Sequence, residues 1–102
     1  MNLTTLINKK PQILAIAQKY GGSNIRVFGS CARNEMTPES DIDLLIDIEQ
    51  GFSLFHRIQM MQELENLLGR KIDIAKPQNL HTRIRDQILK EAIPLWKITN
   101  FT

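Results

Sequence analysis

Two aspartates, Asp41 and Asp43, stand one residue apart in the segment DIDLLIDI and are the strongest candidates for chemistry in this sequence. Ile42, Leu44 and Ile46 recur at every second position of the same segment, a pattern typical of a β-strand with one buried face. If these apolar residues face the core, both carboxylates leave the opposite face, with α-carbons roughly 6.5–7 Å apart. The spacing therefore predicts two carboxylates that can converge on a cation.

A third carboxylate, Asp73, follows the same logic in the segment KIDIA. Ile72 and Ile74 are predicted to face the core, so Asp73 projects from the other face. If the two strands are neighbours, the three carboxylates meet. Aspartate oxygens with no Lys or Arg on either strand face suit Mg²⁺ or Mn²⁺ better than Zn²⁺. Two such ions, about 3.5–4 Å apart, would stabilise the attacking and leaving oxygens of a phosphoryl or nucleotidyl displacement.

A candidate phosphate-binding turn precedes the aspartate pair. Gly29 and Ser30 follow a predicted strand, Ile25–Phe28, and the chain from Ser30 to Asn34 is predicted to begin a short helix or turn. Unpaired backbone N–H groups and the positive end of a helix dipole favour an anion there. Gly29 lets a phosphate approach closely, Ser30 adds a hydroxyl donor, and Arg33 could reach the same anion. A phosphate cradle beside paired carboxylates suits a metal-bound nucleoside triphosphate.

The rest of the chain predicts helices interleaved with three short strands. A helical pattern runs from Leu3 to Tyr20 and is divided at Pro11, which fits the first turn of a second helix. The remaining predicted elements are strands Ile25–Phe28, Asp41–Ile48 and Lys71–Ala75, and helices Leu54–Leu68 and Leu80–Ala92. The series predicts an α/β (α+β) fold with a small mixed sheet of three or slightly more strands and helices packed on one face.

The size and composition of the chain indicate one ordinary globular domain. Its 102 residues, 42% of them hydrophobic, predict a single domain over residues 1–102 with a core that needs no disulfide or metal. The longest apolar run, Ile13–Ala17, is too short for a membrane helix or a signal-peptide core. The one cysteine, Cys31, cannot close an intrachain disulfide, so we expect a cytoplasmic protein. We expect Cys31 to be a packed residue behind the turn and not a nucleophile.

The charges are distributed unevenly along the chain. A net charge of +2 is too small to indicate a protein that coats nucleic acid, so nucleic acid is not an expected partner. Six carboxylates and no basic residue occur from Glu35 to Glu49, and this cluster needs a cation from elsewhere. Within it, Asp47 and Glu49 are predicted to be solvated and beyond reach of the metal. A basic cluster that could bind a partner or nucleic acid, or form a solvated helix face, comprises Lys76, His81, Arg83 and Arg85.

The run from Gly29 to Asp43, GSCARNEMTPESDID, resembles the nucleotidyltransferase signature of the polymerase-β superfamily. It has Gly-Ser, an Arg three residues on, and Ser-Asp-x-Asp about ten residues later, and Asp73 stands where that family has its third carboxylate. The likeness continues through LLGRKIDI and LHTRIRDQILKEAIPLW, so it covers nearly the whole chain. The chain looks like the minimal nucleotidyltransferases, stand-alone catalytic domains found as antitoxins beside HEPN-domain toxins. One departure is Asn34, where the family usually has Gly.

The resemblance implies a polymerase-β-like fold and specific roles for the candidate residues. It implies that Ser30, Arg33 and Ser40, together with the glycine before Ser30, bind the triphosphate. It further implies that the first two aspartates hold metal ions and that Asp73 contacts both a metal and the acceptor hydroxyl.

Together these observations predict a metal-dependent nucleotidyltransferase with ATP as the donor and two Mg²⁺ (or Mn²⁺) ions. An acceptor hydroxyl would attack the α-phosphate, with pyrophosphate leaving. Since the chain has no room for an acceptor-binding domain, we expect the acceptor to lie on another protein, and the resemblance implies a tyrosine of a HEPN-domain toxin. Two alternatives remain open: a non-catalytic antitoxin that covers its partner, and a small-molecule nucleotidyltransferase completed by a separate subunit.

Overall fold

The computed structural model describes residues 3–33, 35, 37 and 39–98, with the backbone alone described for residues 3–5. Asn34 therefore lies outside the described residues. The helices and strands, in chain order, are α1 (Leu3–Asn8), α2 (Lys10–Lys19), β1 (Gly22–Phe28), β2 (Ile42–Ile48), α3 (Leu54–Leu68), β3 (Ile72–Ala75), α4 (Thr82–Glu91) and β4 (Ile93–Pro94). Short 3₁₀ turns follow β3 at Pro77–Asn79 and β4 at Leu95–Lys97.

The four strands form one mixed sheet in the order β3-β2-β1-β4. β1 is antiparallel to both β2 and β4, whereas β2 and β3 are parallel. The predicted fold, a small mixed sheet with helices, is confirmed. The strand β4 was not predicted, because Pro94 reads as the end of a helix. It pairs only with Arg26 and Val27 at the sheet edge, where a proline is tolerated.

The central strand β2 supplies the middle of the core. Ile42, Leu44 and Ile46 are fully buried on the face that packs against the helices, as the alternation predicts. Leu45 is also fully buried, although it shares the opposite face with Asp43. It pairs with Arg26 on β1 and with Ala75 on β3, so strands flank it on both sides. The carboxylate face of the sheet is therefore only partly open to solvent.

The helices α2 and α3 cover one face of the sheet. Ile13 and Ala17 of α2 join the same buried cluster as three α3 residues, Met60, Leu64 and Leu68. Pro11 lies in the first turn of α2, and α3 has the predicted bounds. The last helix, α4, is shorter than predicted and contains no buried residue. No helix within the described ranges combines the length and apolar character needed to cross a bilayer.

Candidate active site

Two neighbouring strands of the sheet bring Asp43 and Asp73 side by side. β2 and β3 are parallel neighbours, and Asp43 is the register partner of Asp73. Asp73 is exposed between two buried isoleucines, as the alternation predicts, and Asp43 is half-buried. Asp41 is exposed and directly precedes β2. The predicted neighbourhood of the two aspartate strands is thus confirmed, while the metal-binding roles of the three residues stay a prediction.

The carboxylates influence one another electrostatically. Partial burial raises the pKa of Asp43, and the negative charges of Asp73 and Asp41 raise it further. Arg33 acts in the opposite direction. Mutual repulsion of this kind is relieved when a divalent cation lies between the carboxylates.

The oxygen atoms of Asp41, Asp43 and Asp73 are suitable ligands for a hard cation, although the three side chains do not surround a single point in this structure. Among residues 3–33, 35, 37 and 39–98, no three His, Cys, Asp or Glu side chains are grouped closely enough to hold a metal ion. Carboxylate oxygens from Asp43 and Asp73 nevertheless share one face of the sheet, and oxygen is the ligand that Mg²⁺ and Mn²⁺ prefer. Asp43 and Asp73 are therefore the two carboxylates placed to share a divalent ion.

The segment after β1 is a turn, and the short helix allowed by the sequence is not formed by the described residues there. The backbone N–H of Arg33 donates to the carbonyl of Gly29 (3.1 Å), and that of Glu35 donates to the carbonyl of Ser30 (2.8 Å). The expected helix dipole is therefore absent from this described segment. Anion binding here would depend on the N–H groups of the turn and on the side chains of Ser30 and Arg33.

Gly29 packs directly against Asp43. It has a φ of +70°, and a β-carbon built at this position would overlap Oδ2 of Asp43 and lie 3.3 Å from its Cγ. Any other residue would have to adopt a left-handed conformation and also displace the carboxylate. The glycine thus links the turn after β1 to the first aspartate of β2, a contact that the sequence does not reveal.

Replacing Gly29 with Ala is expected to weaken ATP binding in the presence of Mg²⁺ by more than about tenfold, because the β-carbon displaces Asp43. The positive φ adds a stability loss of about 1–2 kcal/mol. Gly51→Ala is the matched control, since Gly51 also has a positive φ (98°) but nothing within 4 Å of its β-carbon position. Calorimetric titration should find ATP affinity lost in the first variant and kept in the second. Equal ATP affinities of the two variants would show that the contact between Gly29 and Asp43 plays no part in ATP binding.

The other candidate triphosphate ligands are engaged with protein groups in this structure. Arg33 is exposed and forms ion pairs with Glu35 (3.5 Å) and with Glu91 of α4 (3.3 Å). The hydroxyl of Ser40 accepts a hydrogen bond from the backbone N–H of Thr37 (2.9 Å). Binding of a triphosphate by Arg33 therefore requires exchange of its carboxylate partners, and the roles of both residues stay predictions.

Cys31 is a packed residue, as expected. It is 1% exposed and belongs to the hydrophobic core. Burial, reinforced by the nearby charge of Asp43, raises the pKa of the Cys31 thiol to about 11. Such a thiol is protonated at neutral pH, and it is not a nucleophile.

Asp47 is solvent-exposed, as expected, with 46% of its side chain accessible, and it also forms an ion pair with Arg26. Its Oδ1 accepts a hydrogen bond from Nη2 of Arg26 (2.7 Å), and its Oδ2 accepts one from Asn24 (3.1 Å). The Arg26 side chain is only 13% exposed, so the pair is partly shielded from water. The sequence did not reveal this ion pair, because Arg26 lies on β1 and only the antiparallel pairing with β2 brings it beside Asp47. Glu49 is exposed, as expected.

The predicted basic cluster surrounds the start of α4. His81, the N-cap residue, accepts a hydrogen bond from the backbone N–H of Arg83 (3.4 Å), and both residues are exposed. Lys76 and Arg85 are half-buried. Within the cluster, His81 caps the N-terminus of α4. The interpretation of the cluster as a binding surface stays a prediction.

Arg70 is the residue near the site that sequence reasoning missed. Its guanidinium donates hydrogen bonds to the carbonyls of Thr37 (2.9 Å) and Ser40, in the loop that leads into Asp41. The only signal in the sequence is its position three residues before Asp73, within a segment that carries the family resemblance. Spacing alone does not show which loop such an arginine reaches.

Comparisons with known proteins agree with this geometry. Residues 10–95 match the model of the nucleotidyltransferase domain family. The chain is 38% identical over 84 residues to a Methanocaldococcus jannaschii protein named "Putative protein adenylyltransferase", covering 82% of this chain and 90% of that protein.

Solved structures show the same fold. One described as a "putative minimal nucleotidyltransferase" is 40% identical, covers 92% of this chain and 96% of its own, and superposes with a TM-score of 0.84. Another, described as a toxin-antitoxin with AMP-PNP, is 20% identical with a TM-score of 0.72 and covers 85% of this chain and 72% of its own; at that identity the likeness concerns the fold. The chain belongs to the nucleotidyltransferase domain family, and it shares the fold of the structure described as a minimal nucleotidyltransferase.

Proposed function

We propose that this nucleotidyltransferase transfers AMP from ATP to a tyrosine hydroxyl on a partner HEPN-domain toxin, and thereby acts as an antitoxin. The observation that carries the proposal is the arrangement of three segments. Asp43 and Asp73 are paired in register on parallel strands, and Gly29 packs against Asp43. A phosphate-binding turn and two aligned carboxylates then lie within one small region.

Asp41, Asp43 and Asp73 are the residues that would hold two Mg²⁺ or Mn²⁺ ions. Bound there, the ions would neutralise phosphate charge and stabilise the attacking and leaving oxygens. Partial burial is the main cause of the raised pKa of Asp43, and the charges of Asp73 and Asp41 raise it further; a cation held by these carboxylates would offset both effects.

The triphosphate would lie along the turn after β1. Ser30, half-buried beside Gly29, supplies a hydroxyl and Arg33 supplies a positive charge for the phosphates, while Ser40 offers a second hydroxyl. Arg33 is well placed to exchange partners because both of its ion pairs are with partly exposed carboxylates. Such exposed pairs contribute only about 0–1 kcal/mol, so a triphosphate can replace them.

The acceptor would approach from the exposed side of Asp73. Asp73 accepts the proton of the acceptor hydroxyl, whose oxygen forms a bond to the α-phosphorus as the bond to pyrophosphate breaks. The products are the adenylylated protein and pyrophosphate. The exposure of Asp73 supports a macromolecular acceptor, since the described residues leave its side chain uncovered. The similar protein from Methanocaldococcus and the toxin-antitoxin structure lend further support.

The proposal is tested by the intact mass of the partner. We expect the HEPN-domain product of a neighbouring reading frame, incubated with this protein, ATP and Mg²⁺, to gain the mass of one or more adenylyl groups. ATP with a non-cleavable bond between the α- and β-phosphates is the control, because it binds but cannot release pyrophosphate. A partner of unchanged mass, in a complex that binds ATP, would refute the transfer.

A further inference from the structure

Arg70 connects the two segments that carry the candidate aspartates. It lies between Gly69, which ends α3 in a left-handed conformation, and the start of β3. Its Nη2 donates to the carbonyl of Thr37 (2.9 Å) and to that of Ser40, which are 33 and 30 residues away in sequence. The bond to Ser40 is partly shielded from solvent, whereas the bond to Thr37 is exposed.

The loop that Arg70 holds is a closed turn. The backbone N–H of Ser40 donates to the carbonyl of Thr37 (3.0 Å), and the hydroxyl of Ser40 accepts from the N–H of Thr37 (2.9 Å). The next connection is made by the backbone, where the N–H of Ile42 donates to the carbonyl of Lys71 (2.9 Å). Within the described residues, the turn is therefore fixed to the rest of the protein through positions 70 and 71.

This arrangement lies at the entrance to the site. Asp41 directly follows Ser40, and Asp73 is three residues beyond Arg70. The guanidinium thus contacts the loop that leads into Asp41 from a position three residues before Asp73.

We propose that Arg70 is a positioning residue for nucleotide and metal binding. It holds the Thr37–Ser40 turn so that Ser40 and Asp41 face the site, and it does so through two backbone carbonyls, without contacting the nucleotide. The inference rests on the proposed function, which assigns Ser40 to the triphosphate and Asp41 to a metal. A planar guanidinium suits the task better than an ammonium, because its donors are fixed relative to one another.

Arg70→Met and Lys71→Met form a matched pair of variants. Each substitution removes one positive charge from the connection between α3 and β3. Lys71 is exposed, and its side chain makes no hydrogen bond in the described part of the chain. The substitution of Lys71 also leaves its backbone carbonyl, which accepts from Ile42, in place. In nucleotide-free protein, we expect hydrogen exchange at the amides of Ser40 and Ile42 to accelerate about tenfold in Arg70→Met, the effect of losing charge-assisted hydrogen bonds. In Lys71→Met the exchange rates of the same amides should stay within about twofold of the wild type, a smaller change than the loss of one such hydrogen bond would cause.

Calorimetry then measures the affinity for ATP with Mg²⁺. We expect the ATP affinity to fall about tenfold or more in Arg70→Met and to change little in Lys71→Met. Arg70→Lys should recover the affinity only in part, because it keeps the positive charge but lacks the planar guanidinium with its fixed donors. Should Arg70→Met fail to fold, Arg70→Gln replaces it, since the amide keeps the polar character and loses the charge.

The outcomes separate the possible roles. Unchanged exchange in Arg70→Met, or faster exchange with unchanged affinity, would overturn the positioning role. Full recovery of affinity in Arg70→Lys would also overturn it, because a charge contact with the nucleotide would then explain the effect. Failure of the wild type to bind ATP would instead refute the proposed function, and the exchange measurement, which needs no nucleotide, would still decide whether Arg70 holds the turn.

Discussion

Replacing both Asp41 and Asp43 with Asn is expected to abolish nucleotidyl transfer while the protein stays folded. Neutral amides bind divalent ions far more weakly than carboxylates do, and the lost charge stabilisation is worth several kcal/mol. Transfer to the partner, followed by intact mass, should therefore fall by at least about 10³-fold. Neither side chain belongs to the hydrophobic core, so the change leaves packing intact.

The same variant should be more stable than the wild type at neutral pH when no metal is present. Because the pKa of Asp43 is raised in the folded state, its charged form costs stability at pH values above that raised pKa. The cost disappears as the pH falls through the raised pKa towards the ordinary value of 3.8. With allowance for solvent screening, we expect a melting temperature higher by about 2–4 °C at pH 7 in EDTA, and a difference that closes on acidification.

Asp47→Asn is the control for both measurements. It makes the same chemical change on the same strand, but Asp47 is paired with Arg26 rather than repelled by other carboxylates. The control should keep transfer and lose a little stability at pH 7, the opposite sign from the double variant. Unfolding of the Asp41/Asp43 variant, or transfer at the wild-type rate, would contradict the assignment of these aspartates to the metal.

The alternation of DIDLLIDI and KIDIA allowed the core of this site to be predicted from sequence. Period-2 patterning fixes which side chains share a face, and the parallel pairing of β2 and β3 then places Asp43 beside Asp73. The helix Leu54–Leu68 was equally predictable, because Ser53 and Gly69 mark its two ends.

Features that depend on contacts between distant segments could not be predicted. The carbonyl bonds of Arg70, the overlap of Gly29 with Asp43 and the pairing of Arg26 with Asp47 all join residues that are remote in sequence. Local patterns carry no information on such pairs. The strand β4 was missed for a related reason, since two residues that include Pro94 have no periodicity and form a strand only against β1.

Asp73→Asn separates catalysis from simple covering of the partner. Asp73 is exposed and lies on β3, whereas Asp43 lies on β2 and Asp41 directly precedes β2, so the variant should still bind ATP with Mg²⁺ through Ser30, Asp41 and Asp43. Without a group to accept the proton of the hydroxyl, transfer should fall by about 10²–10⁴-fold. Binding of the partner should survive, because one exposed carboxylate contributes little to a macromolecular interface.

Growth assays with the co-expressed partner then distinguish the two kinds of antitoxin. If the protein neutralises its partner by adenylylation, Asp73→Asn should bind the partner and yet fail to protect the cells. If it acts by occlusion, the variant should protect as well as the wild type, because occlusion requires surface and not chemistry. Protection by Asp73→Asn with no adenylyl mass on the partner would therefore refute the enzymatic mechanism, even in a chain that belongs to the nucleotidyltransferase domain family.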